Sequence, residues 1–155
     1  MKALIIYDSV YGNTEKIAKA IGKELACDSI HVSFASSSSI KGLDLLITGT
    51  PTHGGMPSPA MQKFSESLPK GSLSGIRVAS FDTWITKDSP SFFTRLAVGI
   101  FGHAAPRALS KLQALGGKPV AGAEAIGFLV KGKEGPLVEG EMEKAQAWAK
   151  KLAKG

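Results

Sequence analysis

Lys2-Ala-Leu-Ile-Ile-Tyr-Asp-Ser-Val-Tyr-Gly-Asn-Thr-Glu15 leads without a break into Lys16-Ile-Ala-Lys-Ala-Ile-Gly-Lys-Glu-Leu25, and the fold turns on how that junction is read. An apolar, β-branched run from Leu4 to Tyr7 stops at a polar turn, after which Ile17, Ala18, Ile21 and Leu25 recur at helical spacing. The pattern is strand, turn, helix. The turn presents Ser9, Asn13 and Thr14 as neutral donors, Gly12 as a hinge and a row of backbone N–H groups where a helix starts, a combination suited to a phosphate. Such a site holds its anion by dipoles and requires no Lys or Arg.

Working outward, Ser29 to Phe34 alternates enough for a second strand, and the four serines Ser36 to Ser39 mark an exposed connection. Leu43 to Gly49 reads as a third strand whose near-continuous apolar run implies burial on both faces, as parallel central strands require. It ends in the turn-rich loop Thr50-Pro-Thr-His-Gly-Gly55, and a helix is expected from Pro57 to Leu68. Ile76 to Phe81 is a fourth strand ending in Asp82-Thr-Trp84. Arg107 to Leu115 forms a helix stopped at Gly116-Gly117. Pro119 to Ala121 and Glu124 to Val130 make a fifth strand with a kink at Gly122, and Glu139 to Leu152 is a C-terminal helix, acidic at its start and basic at its end. Strands alternating with helices predict an α/β, doubly wound parallel sheet in three layers. In such sheets ligands bind beyond the carboxyl ends of the strands, so the loops after strands one, three and four should converge.

The length of 155 residues suits a single domain spanning 1–155, large enough for its own core. Cys27 is the only cysteine, which excludes an internal disulfide, a CxxC redox pair and a thiolate metal cluster. The net charge is +6; residues 1–75 carry seven Lys/Arg against six Asp/Glu, and residues 76–155 carry twelve against seven, so the excess lies in the second half. The lysines are scattered and not interleaved with aromatics, so nucleic-acid binding is not expected, whereas an acidic protein partner or anionic ligand fits. The chain opens on a strand with no basic and apolar leader, and no apolar run is long enough to cross a bilayer; a soluble, cytoplasmic protein without a transmembrane segment is the expectation.

With the three loops in hand, the sequence resembles the flavodoxin family over essentially its whole length. Ser9-Val-Tyr-Gly-Asn-Thr14 matches the family's phosphate loop, Thr50-Pro-Thr-His-Gly-Gly55 the loop flanking the flavin, and Asp82-Thr-Trp84 falls where the second flavin loop lies. The resemblance implies a five-stranded sheet of order 2-1-3-4-5, the short-chain form of the family, and FMN as cofactor. It assigns the phosphate to Ser9, Val10, Tyr11, Gly12, Asn13 and Thr14, and one side of the flavin ring to Thr50, Pro51, Thr52, His53 and Gly54. Backbone groups there can bond the ring's polar edge and flavin N5, with Gly54-Gly55 supplying freedom for a carbonyl to reorient. Asp82 and Thr83 would contact the pyrimidine edge, and Trp84 is the ring expected to stack on the flavin. Asp8 would repel a phosphate dianion if it faced inward; alternation with Ser9 leaves its direction open. The loop Thr50 to Pro59 contains no acid, so a reduction potential less negative than in acidic relatives is expected.

The function implied is an FMN-binding electron-transfer protein shuttling electrons between redox partners. An FMN-dependent NAD(P)H:quinone-type oxidoreductase and a non-redox binding module of the same fold are the alternatives. Residues 89–105 hold Phe92, Phe93, Leu96, Val98, Ile100 and Phe101, more apolar groups than an ordinary loop needs. They suit a helix on the sheet, or a surface for an apolar acceptor, a partner, a second copy of the chain or a membrane. Arg95 and Arg107 would add charge for an acidic partner. A receiver domain of the same topology is not expected, because it needs an aspartate at the end of strand three, where Ile47-Thr-Gly-Thr50 stands.

Overall fold

Alternation along a strand sends successive side chains to opposite faces of a sheet, and in this chain both faces are apolar. The computed structural model describes residues 1–85 and 102–155. In chain order the elements are β1 (Ala3–Tyr7), α1 (Asn13–Leu25), β2 (Asp28–His31), β3 (Leu45–Pro51), α2 (Pro59–Ser67), β4 (Arg77–Ile85), α3 (Ala105–Ala114), β5 (Lys118–Pro119), β6 (Ala125–Val130) and α4 (Glu141–Lys154). The sheet is parallel in the order β2-β1-β3-β4-β5, with β6 also pairing β4.

Helices cover both faces. Ile5, Leu45, Ile47, Ala79, Phe81 and Phe128 pack against Ile17 and Ile21 of α1 and Trp148 and Leu152 of α4. Ile6, Leu46 and Val78 pack the other way, against Met61 and Phe64 of α2 and Leu109 and Leu112 of α3. The Phe81, Phe128 and Trp148 rings meet edge to face with centroids 5.9–6.5 Å apart, a geometry that aligns the positive edge of one ring with the negative face of the next. Cys27 packs beside this cluster, and burial pushes its thiol up.

Three expectations change. The second strand stops at His31, because the His31 ring accepts from the Ser33 N–H and turns Val32–Phe34 into a short 3₁₀ helix. The fifth strand is two pieces, β5 and β6. A turn closed by the Ala123 N–H on the Val120 carbonyl (3.0 Å) lifts the chain between them, while β4 stays bonded to Val120 and Glu124 on either side. Finally, β4 runs on to Ile85, so Asp82-Thr-Trp84 is strand and not loop. Of the apolar stretch 89–105, residues 89–101 with Arg95 lie outside the described residues; Ala104 and Ala105 are buried where α3 begins. No helix among the described residues is long and apolar enough to cross a membrane.

Candidate functional site

The register of the sheet brings the loops after β1 and β3 together with the end of β4. β3 pairs β4 with Thr50 opposite Asp82 and Pro51 opposite Thr83, and β4 pairs β6 with Thr83 opposite Phe128 and Ile85 opposite Val130. On the α1 face above these strand ends lies a cavity of about 430 Å³, within the range of small-molecule sites. Ser9, Val10, Tyr11, Asn13 and Thr14 line one end, Pro51, Thr52, His53 and Gly54 one side, and Thr83, Ile85, Val130 and Lys133 the rest.

Polar stitches hold the walls. The Thr14 and Thr83 hydroxyls bond at 2.7 Å, joining the first loop to β4, and the Thr52 N–H donates to the Thr83 carbonyl at 2.9 Å, joining the loop after β3 to the same strand. Thr83 is therefore the residue on which all three segments meet. At the start of α1, Gly12 takes a left-handed φ of 88° and the Ser9 hydroxyl accepts from the N–H groups of Gly12 (3.1 Å) and Glu15 (3.3 Å). The N–H groups of Asn13 and Thr14, in the first turn, have no helical carbonyl behind them and remain donors for an anion.

Beyond β3, the His53 and Met56 backbones bond reciprocally at 2.8 and 3.0 Å around Gly54 and Gly55, whose φ values are 56° and 77°. Two consecutive positive φ angles define a type I′ turn, which side chains with a Cβ resist. Arg107 braces the turn from α3 by donating to the Gly55 carbonyl at 2.7 Å.

Gly12, Thr50, Asp82 and Trp84 do not line the cavity. For the last three the reason is parity. Thr48, Thr50, Asp82 and Trp84 share the α2/α3 face, where Thr48 bonds Ser80 and Thr50 accepts from the Ser58 N–H. The Asp82 carboxylate, with no exposed surface, accepts from the Thr52 hydroxyl and the Ala104 N–H at 2.5 Å each and from His103 Nδ1 at 3.0 Å. His103 stacks on Trp84 with ring centroids 5.4 Å apart. The hydrogen bond to Asp82 holds the imidazole above its ordinary pKa, against the opposing effect of burial. The expected stacking ring is thus engaged on the far side of the sheet from the cavity.

Asp8 is also settled by its neighbours. Its carboxylate accepts from the Ser9 N–H at 2.9 Å and from His31 Nε2 at 3.1 Å, and it does not line the cavity. Because His31 Nδ1 accepts from the Ser33 N–H, the neutral ring carries its proton on Nε2, facing the carboxylate.

Ile85, Val130 and Lys133 escaped the sequence reading. Ile85 could have been found by counting alternate positions from Phe81 through Thr83; Val130 arrives through its pairing with Ile85 and Lys133 through the tie of its loop to Asn13, and neither left a local signal. Among the described residues, no three His, Cys, Asp or Glu side chains gather to hold a metal ion.

The sequence model of the flavodoxin family matches residues 5–148. The fold is similar to that of oxidised flavodoxin 2 from Bacillus cereus, with a TM-score of 0.79, 24% identity and coverage of 99% of each chain. Oxidised flavodoxin 1 from the same organism gives a TM-score of 0.75 at 20% identity, covering 99% of this chain and 98% of the other. The flavodoxin of Streptococcus pneumoniae TIGR4 gives 0.74 at 20% identity over 99% of both. An uncharacterized protein of Methanocaldococcus jannaschii is 38% identical over 71 residues, so the match spans 45% of this chain and 47% of that relative's length.

Proposed function

This chain belongs to the flavodoxin family, and on that premise we propose that it is an FMN-binding electron-transfer protein. The observation that carries the proposal is the cavity bordered by the Thr14–Thr83 and Thr52–Thr83 bonds, which has a turn of neutral N–H and hydroxyl donors at one end and a largely apolar lining beside it. The donor set fits a flavin nucleotide. Ser9, Asn13, Thr14 and the first N–H groups of α1 would hold the phosphate. Pro51, Thr52, His53 and Gly54 would flank the ring on one side, and Ile85 and Val130 give an apolar floor that excludes water. FMN supplies, when bound, one- and two-electron redox chemistry; the protein's part is to hold, orient and shield it.

The tuning that these residues offer is electrostatic. No Asp or Glu lines the cavity among the described residues, and Lys133 does. A negative field around a flavin disfavours its anionic reduced form, so a cavity free of carboxylates should give a less negative potential than acidic relatives have. The basic second half favours an acidic redox partner.

The test is direct. Purified protein, stripped and reconstituted, is expected to take up FMN stoichiometrically with flavin absorption near ~450 nm and to be reduced reversibly. A protein that takes up no FMN would be a non-redox module of this fold. Steady-state NAD(P)H:quinone turnover separates an oxidoreductase from a carrier: sustained turnover without a partner protein sinks the carrier reading.

A further inference from the structure

Lys133 stands on the loop between β6 and α4, in a part of the chain that no feature of the first βα turn calls for. The loop is tied down on both sides. The Lys131 N–H donates to the Pro136 carbonyl at 2.9 Å, the Gly135 N–H to the Gly132 carbonyl at 3.1 Å, and the Val138 N–H to the Leu129 carbonyl at 2.9 Å. The tie to the first loop is the Asn13 side chain, whose Nδ2 donates to the Glu134 carbonyl at 3.1 Å. Gly135 takes a φ of 108° and packs so closely on Asn13 that a Cβ there would lie 2.8 Å from Asn13 Oδ1, so both backbone and space favour glycine at this point. Lys133 immediately precedes these two contacts, and it lines the cavity together with Ser9, Asn13 and Thr14.

Its charge is not spent elsewhere among the described residues. The ion pairs there join Lys19 to Glu15, Lys144 to Glu141 and Lys150 to Glu24, and the His contacts take up Asp8 and Asp82. Lys133 is the only Lys or Arg among the described residues that line the cavity. A lysine on a tethered loop, lining the same cavity as a helix N-terminus and two hydroxyls, is suited to the recognition of a phosphate monoester.

From this arrangement we infer that Lys133 is an additional phosphate-recognition residue of the cavity, giving this chain a charged contact where the turn alone offers only dipoles. The inference rests on the FMN reading above and deepens it: a phosphomonoester flavin should be preferred over its dephosphorylated form by more than the turn alone provides. The ammonium is exposed, so the contribution is modest and sensitive to salt.

Fluorescence titration of the apoprotein with FMN and with riboflavin, at low and at 0.5 M salt, tests this. Lys133→Gln is expected to weaken FMN about fivefold at low salt while leaving riboflavin unchanged, and to flatten the salt dependence of FMN binding. Lys133→Arg should retain wild-type affinity for FMN, and Lys133→Glu should lose more than Lys133→Gln. Equal FMN affinity in wild type and Lys133→Gln overturns the inference alone, and so does an equal weakening of FMN and riboflavin, which would make Lys133 a ring or loop contact. A wild-type protein that binds neither ligand overturns the FMN reading and the inference with it.

Discussion

The two faces of the same strand ends have opposite fates. On the α1 face, Pro51, Thr83, Ile85 and Val130 open on a cavity; on the α2/α3 face, one residue away along each strand, Thr50, Asp82 and Trp84 are closed over by Ser58, Thr52, His103 and Ala104. The difference follows from what sits above each face. α1 starts only after a turn that ends in backbone donors, which leaves room. α3 begins beside β4, and the two residues that lead into it, His103 and Ala104, bond Asp82. One face is open and the other braces.

Removing the brace should have the largest effect. Asp82→Ala leaves the Ala104 N–H, the Thr52 hydroxyl and His103 without their shared acceptor, and is expected to lower the free energy of unfolding by about 2–4 kcal/mol in urea denaturation. A loss below about 1 kcal/mol would mean that the closed face does not hold the loops. Next comes the stitch between the loops. Thr83→Val strands the buried Thr14 hydroxyl and should cost about 1–2 kcal/mol, with a Thr14→Val/Thr83→Val double mutant recovering part of it in a double-mutant cycle.

The third effect is a pH dependence confined to the closed face. Asp82 raises the pKa of His103 in the folded state, so this pair's stabilisation is fully present below the ordinary histidine value and is lost as pH rises through the raised one. His103 is partly exposed, which limits the effect to about 1 kcal/mol or less. Unfolding titrations from acid to mildly alkaline pH should show a loss of stability in wild type that His103→Gln lacks; an identical profile in both rejects the coupling.

The smallest effect is expected at Trp84. Because its ring lies on His103 and not in the cavity, Trp84→Phe should leave FMN affinity within about twofold of wild type. A tenfold loss would put Trp84 back on the binding face.

The strand-turn-helix opening, the alternation of strands with helices and the loops after β1 and β3 were all legible in the sequence, because each is written in residues adjacent along the chain. Ten of the fourteen residues singled out as a flavin site, among them Ser9, Asn13, Thr14, Thr52 and Thr83, line the cavity. Asp82-Thr-Trp84 reads locally as a loop, but β4 reaches Ile85, and parity then assigns Asp82 and Trp84 to the other face.

What the sequence determined by itself was therefore the class of fold, the strand-turn-helix at Ser9 to Thr14 with its backbone donors, and the convergence of the chain segments after the first, third and fourth strands. Periodicity and turn chemistry depend only on near neighbours. The tertiary structure decided which face each side chain took, that Asp8 would pair with His31, that the fifth strand would break into β5 and β6, and that Lys133 would line the same cavity as the first turn. Those outcomes depend on register and on contacts such as Asn13 with Glu134, 121 residues apart, which no local pattern encodes.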